Sequence, residues 1–141
     1  MKLDLSALEN AIASLEASSA VVGNRAWFAA QSQAVQDTLI AGVIQNFEFV
    51  YELAVKMIRR RIEVDAATPT EADFADFRDL MRSAAERGLI ADVEAWFGYR
   101  KLRNVTAHTY DREKARQVYQ GLSPFLSEAR ALLRNLEARN V

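Results

Sequence analysis

The stretch Ser32–Arg61, which reads SQAVQDTLIAGVIQNFEFVYELAVKMIRRR, decides the fold of this chain. Its apolar residues recur every three or four positions, which is the spacing of one face of an α-helix. No proline interrupts the stretch. The pattern therefore predicts one long amphipathic helix, whose apolar stripe consists of Val35, Leu39, Val43, Phe47, Val50, Leu53, Ala54, Met57 and Ile58.

A shorter helix is predicted upstream, with an apolar stripe made of Leu5, Leu8, Ile12 and Leu15. Residues that disfavour helix then predict its end, namely Ser18, Ser19, Gly23 and Asn24. Trp27 and Phe28 lie outside the clear stripes. We interpret them as a loop anchored on the core, and a dimer contact is the alternative, since aromatic residues are enriched at the centres of interfaces.

Three further amphipathic helices are predicted in the second half of the chain. Their predicted starts are Thr70, Asp92 and Asp111, and the predicted ends or interruptions are Gly88, Gly121 and Pro124. Thr70 and Asp73 have the spacing of a capping box with a shorter acid. No stretch alternates apolar and polar residues long enough for a sheet. We therefore expect an all-α protein, an antiparallel up-and-down bundle of four to five helices in one domain, residues 1–141.

The composition is that of an ordinary globular protein, with 50% apolar and 26% charged residues and no cysteine. The chain shows neither a signal peptide nor an apolar run near the ~20 residues that span a bilayer, so we expect a cytoplasmic protein without a membrane partner. The net charge of −1 argues against non-specific coating of nucleic acid. Any such contact needs a local patch, and two basic clusters exist: Lys56, Arg59, Arg60 and Arg61, then Arg100, Lys101 and Arg103.

The run Arg103–Tyr110, RNVTAHTY, contains the only histidine of the chain, His108. Histidine exchanges a proton near neutral pH, and arginine offers a planar fork to phosphate oxygens. Such groups suit removal of a proton from a ribose 2'-hydroxyl and stabilisation of charge on the phosphate. Because one histidine cannot act as base and acid at once, this chemistry predicts an obligate dimer that brings two copies of His108 together.

The spacing within this run permits a site but does not establish one. Asn104 and His108 are four apart and share a helix face, whereas Arg103 and His108 diverge by about 140 degrees on an ideal helix. They can face one spot only if the helix loosens near His108, which Thr106 and a cap at Asp111 favour. Taken alone, the spacing favours an ordinary helix end, where histidine meets free carbonyl groups.

Other constellations indicate less. Glu48 and Glu52 are four apart, and Lys56 follows at the same interval, which is typical of a salt-bridged surface ladder rather than a metal site. There is no glycine-rich phosphate loop and no zinc spacing, so we expect neither cofactor nor metal.

Two segments carry a family resemblance. Arg103–His108 resembles the Arg-x4-His motif of HEPN domains, and Tyr110 completes the Arg-x4-His-x-Tyr form of HepT toxins, which are also described as nucleotidyltransferase substrate-binding proteins. The segment Ile44–Lys56, IQNFEFVYELAVK, resembles the long-helix signature of the same family. It departs from that signature at Val55, where tryptophan is usual, and at Asn46, where a basic residue is frequent. The resemblance extends over nearly the whole chain.

The resemblance implies a HEPN-like helical bundle that forms a homodimer, with both motif copies facing one cleft, and metal-independent endoribonuclease activity. Arg103 and His108 would be the catalytic pair by match to the motif, with Asn104 assisting. Arg100 and Lys101 are candidate contacts for RNA phosphates.

The implied partner is a minimal, MntA-like nucleotidyltransferase that acts as antitoxin by transferring AMP from ATP to Tyr110. The added phosphate would place negative charge beside the catalytic pair and compete with RNA. Two other hypotheses stay open: a non-catalytic module that presents nucleotide or substrate to the nucleotidyltransferase, and a plain structural helical dimer.

Overall fold

Helix α3 (Gln33–Asp65) is the longest of seven α-helices in the computed structural model, which describes residues 1–141. The others are α1 (Ser6–Gly23), α2 (Arg25–Ala29), α4 (Phe77–Glu86), α5 (Val93–Val105), α6 (Arg112–Gln120) and α7 (Leu122–Arg139). Two 3₁₀ turns, Pro69–Ala72 and Thr106–His108, complete the regular structure. The predicted all-α antiparallel bundle is confirmed.

The bundle has more helices than the four to five expected, for two reasons. The predicted loop around Trp27 and Phe28 is the short helix α2, in which Phe28 packs on the core and Trp27 is 43% exposed. At Gly121 the chain ends α6 and starts α7, so the interruption predicted there is a fresh start rather than a kink.

The core forms around the apolar stripe of α3, which packs against α1, α6 and α7. Phe125 of α7 lies at its centre, with ring centroids 4.9 Å from both Phe47 of α3 and Tyr99 of α5. By length and composition α3 could also cross a bilayer, but the core helices of soluble proteins can have the same length and composition. Burial of Trp96, Phe97 and Tyr99 fixes α5, and leaves Arg100 and Lys101, which follow them on the helix, exposed.

Helix boundaries follow the predicted signals in most places. The side chains of Ser32, Asp92 and Asp111 accept hydrogen bonds from backbone N–H groups in the first turns of α3, α5 and α6. These bonds satisfy donors that have no partner inside a helix. Gly88, at φ +76°, adopts the left-handed conformation that ends α4.

The predicted end of the first helix at Ser18 and Ser19 is wrong, because α1 continues to Gly23. The Ser18 hydroxyl donates to the backbone carbonyl of Leu15 at 3.2 Å and accepts from the Asn46 amide at 2.9 Å. The serine is therefore satisfied within the helix, and Asn46, one of the departures from the family signature, ties α3 to α1.

The capping box predicted at Thr70 and Asp73 is also wrong. Thr70 lies inside a 3₁₀ turn that has no side-chain cap. Helix α4 starts later, at Phe77, where the Asp76 carboxylate accepts from the N–H of Asp79 at 2.9 Å. Asp76 and Asp79 have the same three-residue spacing as Thr70 and Asp73, so the spacing alone does not select between the two pairs.

The long helix ends at Asp65 rather than near Arg61. Arg61 is 3% exposed and binds Asp65 at 2.8 Å. The same guanidinium donates to the Asn140 side chain and to the Met1 carbonyl, so it joins both ends of the chain to α3. One member of the first basic cluster is therefore a buried structural residue.

Candidate functional site

The candidate site lies where α5 loosens. The helix ends at Val105 and the chain continues as the 3₁₀ turn Thr106–His108. The Thr106 hydroxyl donates to the Arg103 carbonyl at 2.6 Å, which competes with the regular helical ladder. The unwinding expected before His108 is confirmed.

Arg103 is held by two carboxylates of α3. Its guanidinium lies 3.1 Å from a Glu48 oxygen and 2.7 Å from a Glu52 oxygen. The surface ladder expected within α3 is therefore wrong, since both acids bind α5 and Lys56 forms no ion pair. The arginine side chain remains 31% exposed, so an incoming anion can reach it.

Thr106 holds the same guanidinium from within α5 and the turn that follows it. It is buried at 8% exposure, and its hydroxyl accepts from Arg103 Nη1 at 2.8 Å while it donates to the Arg103 carbonyl. Sequence reasoning missed the roles of Thr106 and the two glutamates as partners of Arg103. The only sequence signal was complementary charge on two different helices, which does not say that the helices meet.

His108 and Tyr110 project into solvent beyond this cluster. Their rings meet edge to face with centroids 6.2 Å apart. Tyr110 is 87% exposed, and the imidazole makes no hydrogen bond. The His108 side chain is thus available to a ligand, and it is joined to Arg103 through the turn rather than by direct contact.

The structure does not join Asn104 to His108, because the helix that would align them ends between them. Asn104 instead lines a cavity of about 320 Å³ together with Arg100 and Lys101. Both basic side chains are exposed. The Arg100 guanidinium carbon lies 4.6 Å from the ring centroid of Phe77.

The positive charges of this region reach the core beneath it. Burial raises the pKa of the Tyr51 phenol, while the charges of Arg100 and Arg103 oppose that rise by favouring the phenolate. Both guanidinium groups therefore act on the Tyr51 phenol, which lies beneath the candidate site.

A second charged cluster lies beside Tyr110. Arg112 binds the Asp37 carboxylate at 2.9 Å, and Arg116 lies 3.8 Å from it. Hydrogen bonding from Arg112, and then from Gln33, lowers the pKa of Asp37. A cavity of about 120 Å³ is lined by Asp37, Tyr110, Arg112 and Arg116.

The arrangement combines a fixed cation, a free imidazole and an exposed phenol within eight residues of the chain. A cation can bind a phosphate, an imidazole can exchange a proton, and an exposed phenol can accept a transferred group. The chain contains no group of three histidine, aspartate or glutamate side chains arranged to hold a metal ion.

Comparisons with known proteins converge on one family. The family model described as "nucleotidyltransferase substrate binding protein like" matches residues 3–138. A relative from Haemophilus influenzae named "Probable ribonuclease HepT" is 47% identical over 139 residues, which cover 99% of this chain and 95% of that protein. A solved structure from the same organism, described as revealing the fold of a substrate binding domain of a nucleotidyltransferase, superposes with a TM-score of 0.91 at 46% identity. It covers 95% of this chain and 99% of its own.

Proposed function

The chain belongs to the nucleotidyltransferase substrate binding protein-like family, and on that premise we propose that it is a HepT-like toxin, a dimeric endoribonuclease. The exposed imidazole of His108, which follows Arg103 on the loosened end of α5, is the observation that carries this function. The name of the relative at 47% identity supports a ribonuclease of this kind.

The reaction is attack of a ribose 2'-hydroxyl on the adjacent phosphate. His108 accepts the hydroxyl proton, the new bond forms between the 2'-oxygen and phosphorus, and the bond to the 5'-oxygen breaks. Arg103 stabilises the negative charge on the phosphate oxygens, and Asn104 assists as a hydrogen-bond donor. The products are a 2',3'-cyclic phosphate and a free 5'-hydroxyl, and no metal ion takes part.

The leaving 5'-oxygen needs a proton, and a two-fold dimer supplies it from the protonated His108 of the partner subunit. An exposed apolar side chain on the same face of α3 supports such an interface. Phe49 is 49% exposed and lies one helical turn before Glu52, which holds Arg103. A dimer interface on this face of α3 would remove the Phe49 ring from water, which favours association.

Silencing follows from the position of Tyr110. A partner nucleotidyltransferase transfers AMP from ATP to the phenol, with pyrophosphate as leaving group. The 87% exposure of Tyr110 makes the acceptor oxygen reachable, and its ring lies beside that of His108. The added phosphate then competes with RNA for the same cations. Because RNA and ATP meet in the cytoplasm, we place the reaction there, away from any membrane.

Cleavage of single-stranded RNA by the purified protein tests the function. We expect Arg103→Ala and His108→Ala to lose activity while keeping the helical circular dichroism of the parent protein. Arg134→Ala, which removes an exposed and unpaired arginine elsewhere, is the matched control. Full cleavage by both site variants would overturn the function.

A second function, presentation of nucleotide or substrate to the nucleotidyltransferase without catalysis, is favoured by one observation. Both Arg103 amino groups that could bind phosphate are already paired with carboxylates. Intact mass after incubation with the partner and ATP, combined with the cleavage assay, separates the two. A protein that binds nucleotide but leaves RNA uncut across a pH series is the binding module.

A further inference from the structure

A groove lined by residues of α3, α4 and α5, here called the α4–α5 groove, adjoins the candidate site. Two cavities, of about 320 Å³ and 470 Å³, share Asp76, Phe77 and Arg100 and so lie next to each other. The first reaches Asn104, and the second reaches Glu52, the partner of Arg103. Both ends of this α4–α5 groove therefore meet residues of the site.

The guanidinium groups of two arginines lie over aromatic rings along this groove. The guanidinium of Arg78 lies 4.3 Å from the centroid of Phe97, and that of Arg100 lies 4.6 Å from the centroid of Phe77. Both arginines are exposed, and neither forms an ion pair. The outer face of each guanidinium is therefore a free, flat and charged surface, on which an unpaired nucleobase can stack.

The groove is more basic than the protein as a whole, which has a net charge of −1. The first cavity is lined by three cations, Arg78, Arg100 and Lys101, against the single carboxylate of Asp76. In the second cavity Arg59 and Arg100 are balanced by Asp76 and Glu52. The positive potential is thus concentrated next to Asn104.

Arg59 belongs to the first basic cluster of the sequence, Lys56, Arg59, Arg60 and Arg61. The fold divides that cluster, since Arg61 is buried against Asp65 while Arg59 is exposed and lines the groove. Only part of the run Lys56–Arg61 is therefore structural.

We propose that the α4–α5 groove, formed by Arg59, Arg78, Arg100, Lys101, Phe77 and Phe97, binds the single-stranded RNA that flanks the cleaved phosphate. This inference rests on the proposed ribonuclease function for the identity of the nucleic acid. The cations contact backbone phosphates through their N–H groups, and the guanidinium groups of Arg78 and Arg100 also hold bases on their exposed faces. Duplex RNA cannot use the groove in this way, because its bases are already stacked on one another.

Binding is measured in the His108→Ala protein, which separates it from cleavage. The probe is a fluorescent, unstructured RNA of about 12 nucleotides, within the usual span of single-strand sites. Its dissociation constant is followed by anisotropy over a series of salt concentrations. The groove variant is Arg59→Ala with Arg78→Ala, and the control is Arg60→Ala with Arg134→Ala, which removes the same charge from exposed arginines outside the groove.

We expect the groove variant to weaken binding about tenfold or more and to lower the slope of log affinity against log salt by about 1.4, since each lost phosphate contact on a single strand contributes about 0.7. The control should change the affinity for RNA less than about twofold, because charges outside the groove act on the RNA only through an electrostatic potential that salt screens. Arg78→Lys should keep the slope but lose part of the affinity, because lysine retains the charge and loses the flat stacking surface.

Several results would overturn the groove assignment. One is an equal loss of RNA affinity in both double variants, and another is an equal loss of affinity for single-stranded and duplex RNA in the groove variant. A third is unchanged RNA affinity in the groove variant together with lost binding of the nucleotidyltransferase, which would make the groove a protein-docking surface. A parent protein that binds RNA through the groove but never cuts it would refute the ribonuclease and leave the groove standing.

Discussion

The guanidinium of Arg103 on α5 lies 2.7 Å from the carboxylate of Glu52 on α3, although 51 residues separate them along the chain. Glu48 approaches the same guanidinium at 3.1 Å. This pairing fixes the orientation of the Arg103 guanidinium and also occupies its hydrogen-bond donors. In the proposed function, an RNA phosphate must therefore share or displace a carboxylate before Arg103 can stabilise charge in the reaction.

Replacing Glu52 with Gln should tighten RNA binding. In the His108→Ala background we expect a gain of about threefold, because an exposed ion pair contributes under about 1 kcal/mol. Glu63→Gln, an exposed and unpaired acid on the same helix, is the control for general charge. If both variants gain equally in anisotropy titrations, Glu52 does not compete for Arg103.

Thr106→Val should lower the cleavage rate about tenfold with little change in KM, because the hydroxyl that orients the Arg103 guanidinium is lost. Thr106→Ser keeps that hydroxyl and should retain most of the activity. Steady-state kinetics on one RNA substrate provide the comparison. Equal activity in the valine and serine variants would show that Thr106 does not position Arg103.

Cleavage should persist in excess EDTA and leave 2',3'-cyclic phosphate ends. Both results follow from proton transfer by His108 and charge stabilisation by Arg103, which need no bound ion. Mass spectrometry of the fragments identifies the ends. Loss of activity in EDTA, with recovery on adding Mg²⁺ or Mn²⁺, would contradict this mechanism.

Asp37→Asn should reduce the stability of the protein near neutral pH but not in strong acid. Arg112 lowers the pKa of Asp37 in the folded state, so its stabilising contribution is present above the unfolded pKa and is lost as the pH falls through the folded pKa. Urea midpoints of parent and variant should differ at pH 6.5 and differ less at about pH 3, which lies below the ordinary carboxyl pKa. Asp73→Asn, at an exposed acid without an ion pair, should match the parent at both pH values.

Two glycine substitutions should have opposite effects on the free energy of unfolding. Gly88→Ala should destabilise by about 1–2 kcal/mol, because φ is +76° and a left-handed conformation strains an L-residue. Gly98→Ala, inside α5 with open space around the new Cβ, should stabilise by about 0.5–1 kcal/mol. Urea denaturation of both variants provides the measurement, and changes of the same sign would contradict it.

Local signals predicted well wherever a short stretch of chain sufficed. The stripe of α3 and the caps at Asp92 and Asp111 depend on neighbours within one or two turns. Both caps formed as expected, and the stripe formed except at Val35, which is 40% exposed. The start of α4 was predicted wrongly, because Thr70 and Asp76 are each followed by an acidic residue three positions later. The choice between them came from packing between distant segments.

The sequence by itself determined the helical class, the family and the chemical groups gathered between Arg103 and Tyr110, because periodicity and motif are properties of neighbouring residues. Only the tertiary structure decided which carboxylates hold Arg103 and that Asn104 lies with Arg100 rather than with His108. It also decided that Arg61 is buried while Arg59 lines a groove. These relations depend on how α3, α4 and α5 pack, and packing is set by the whole core at once.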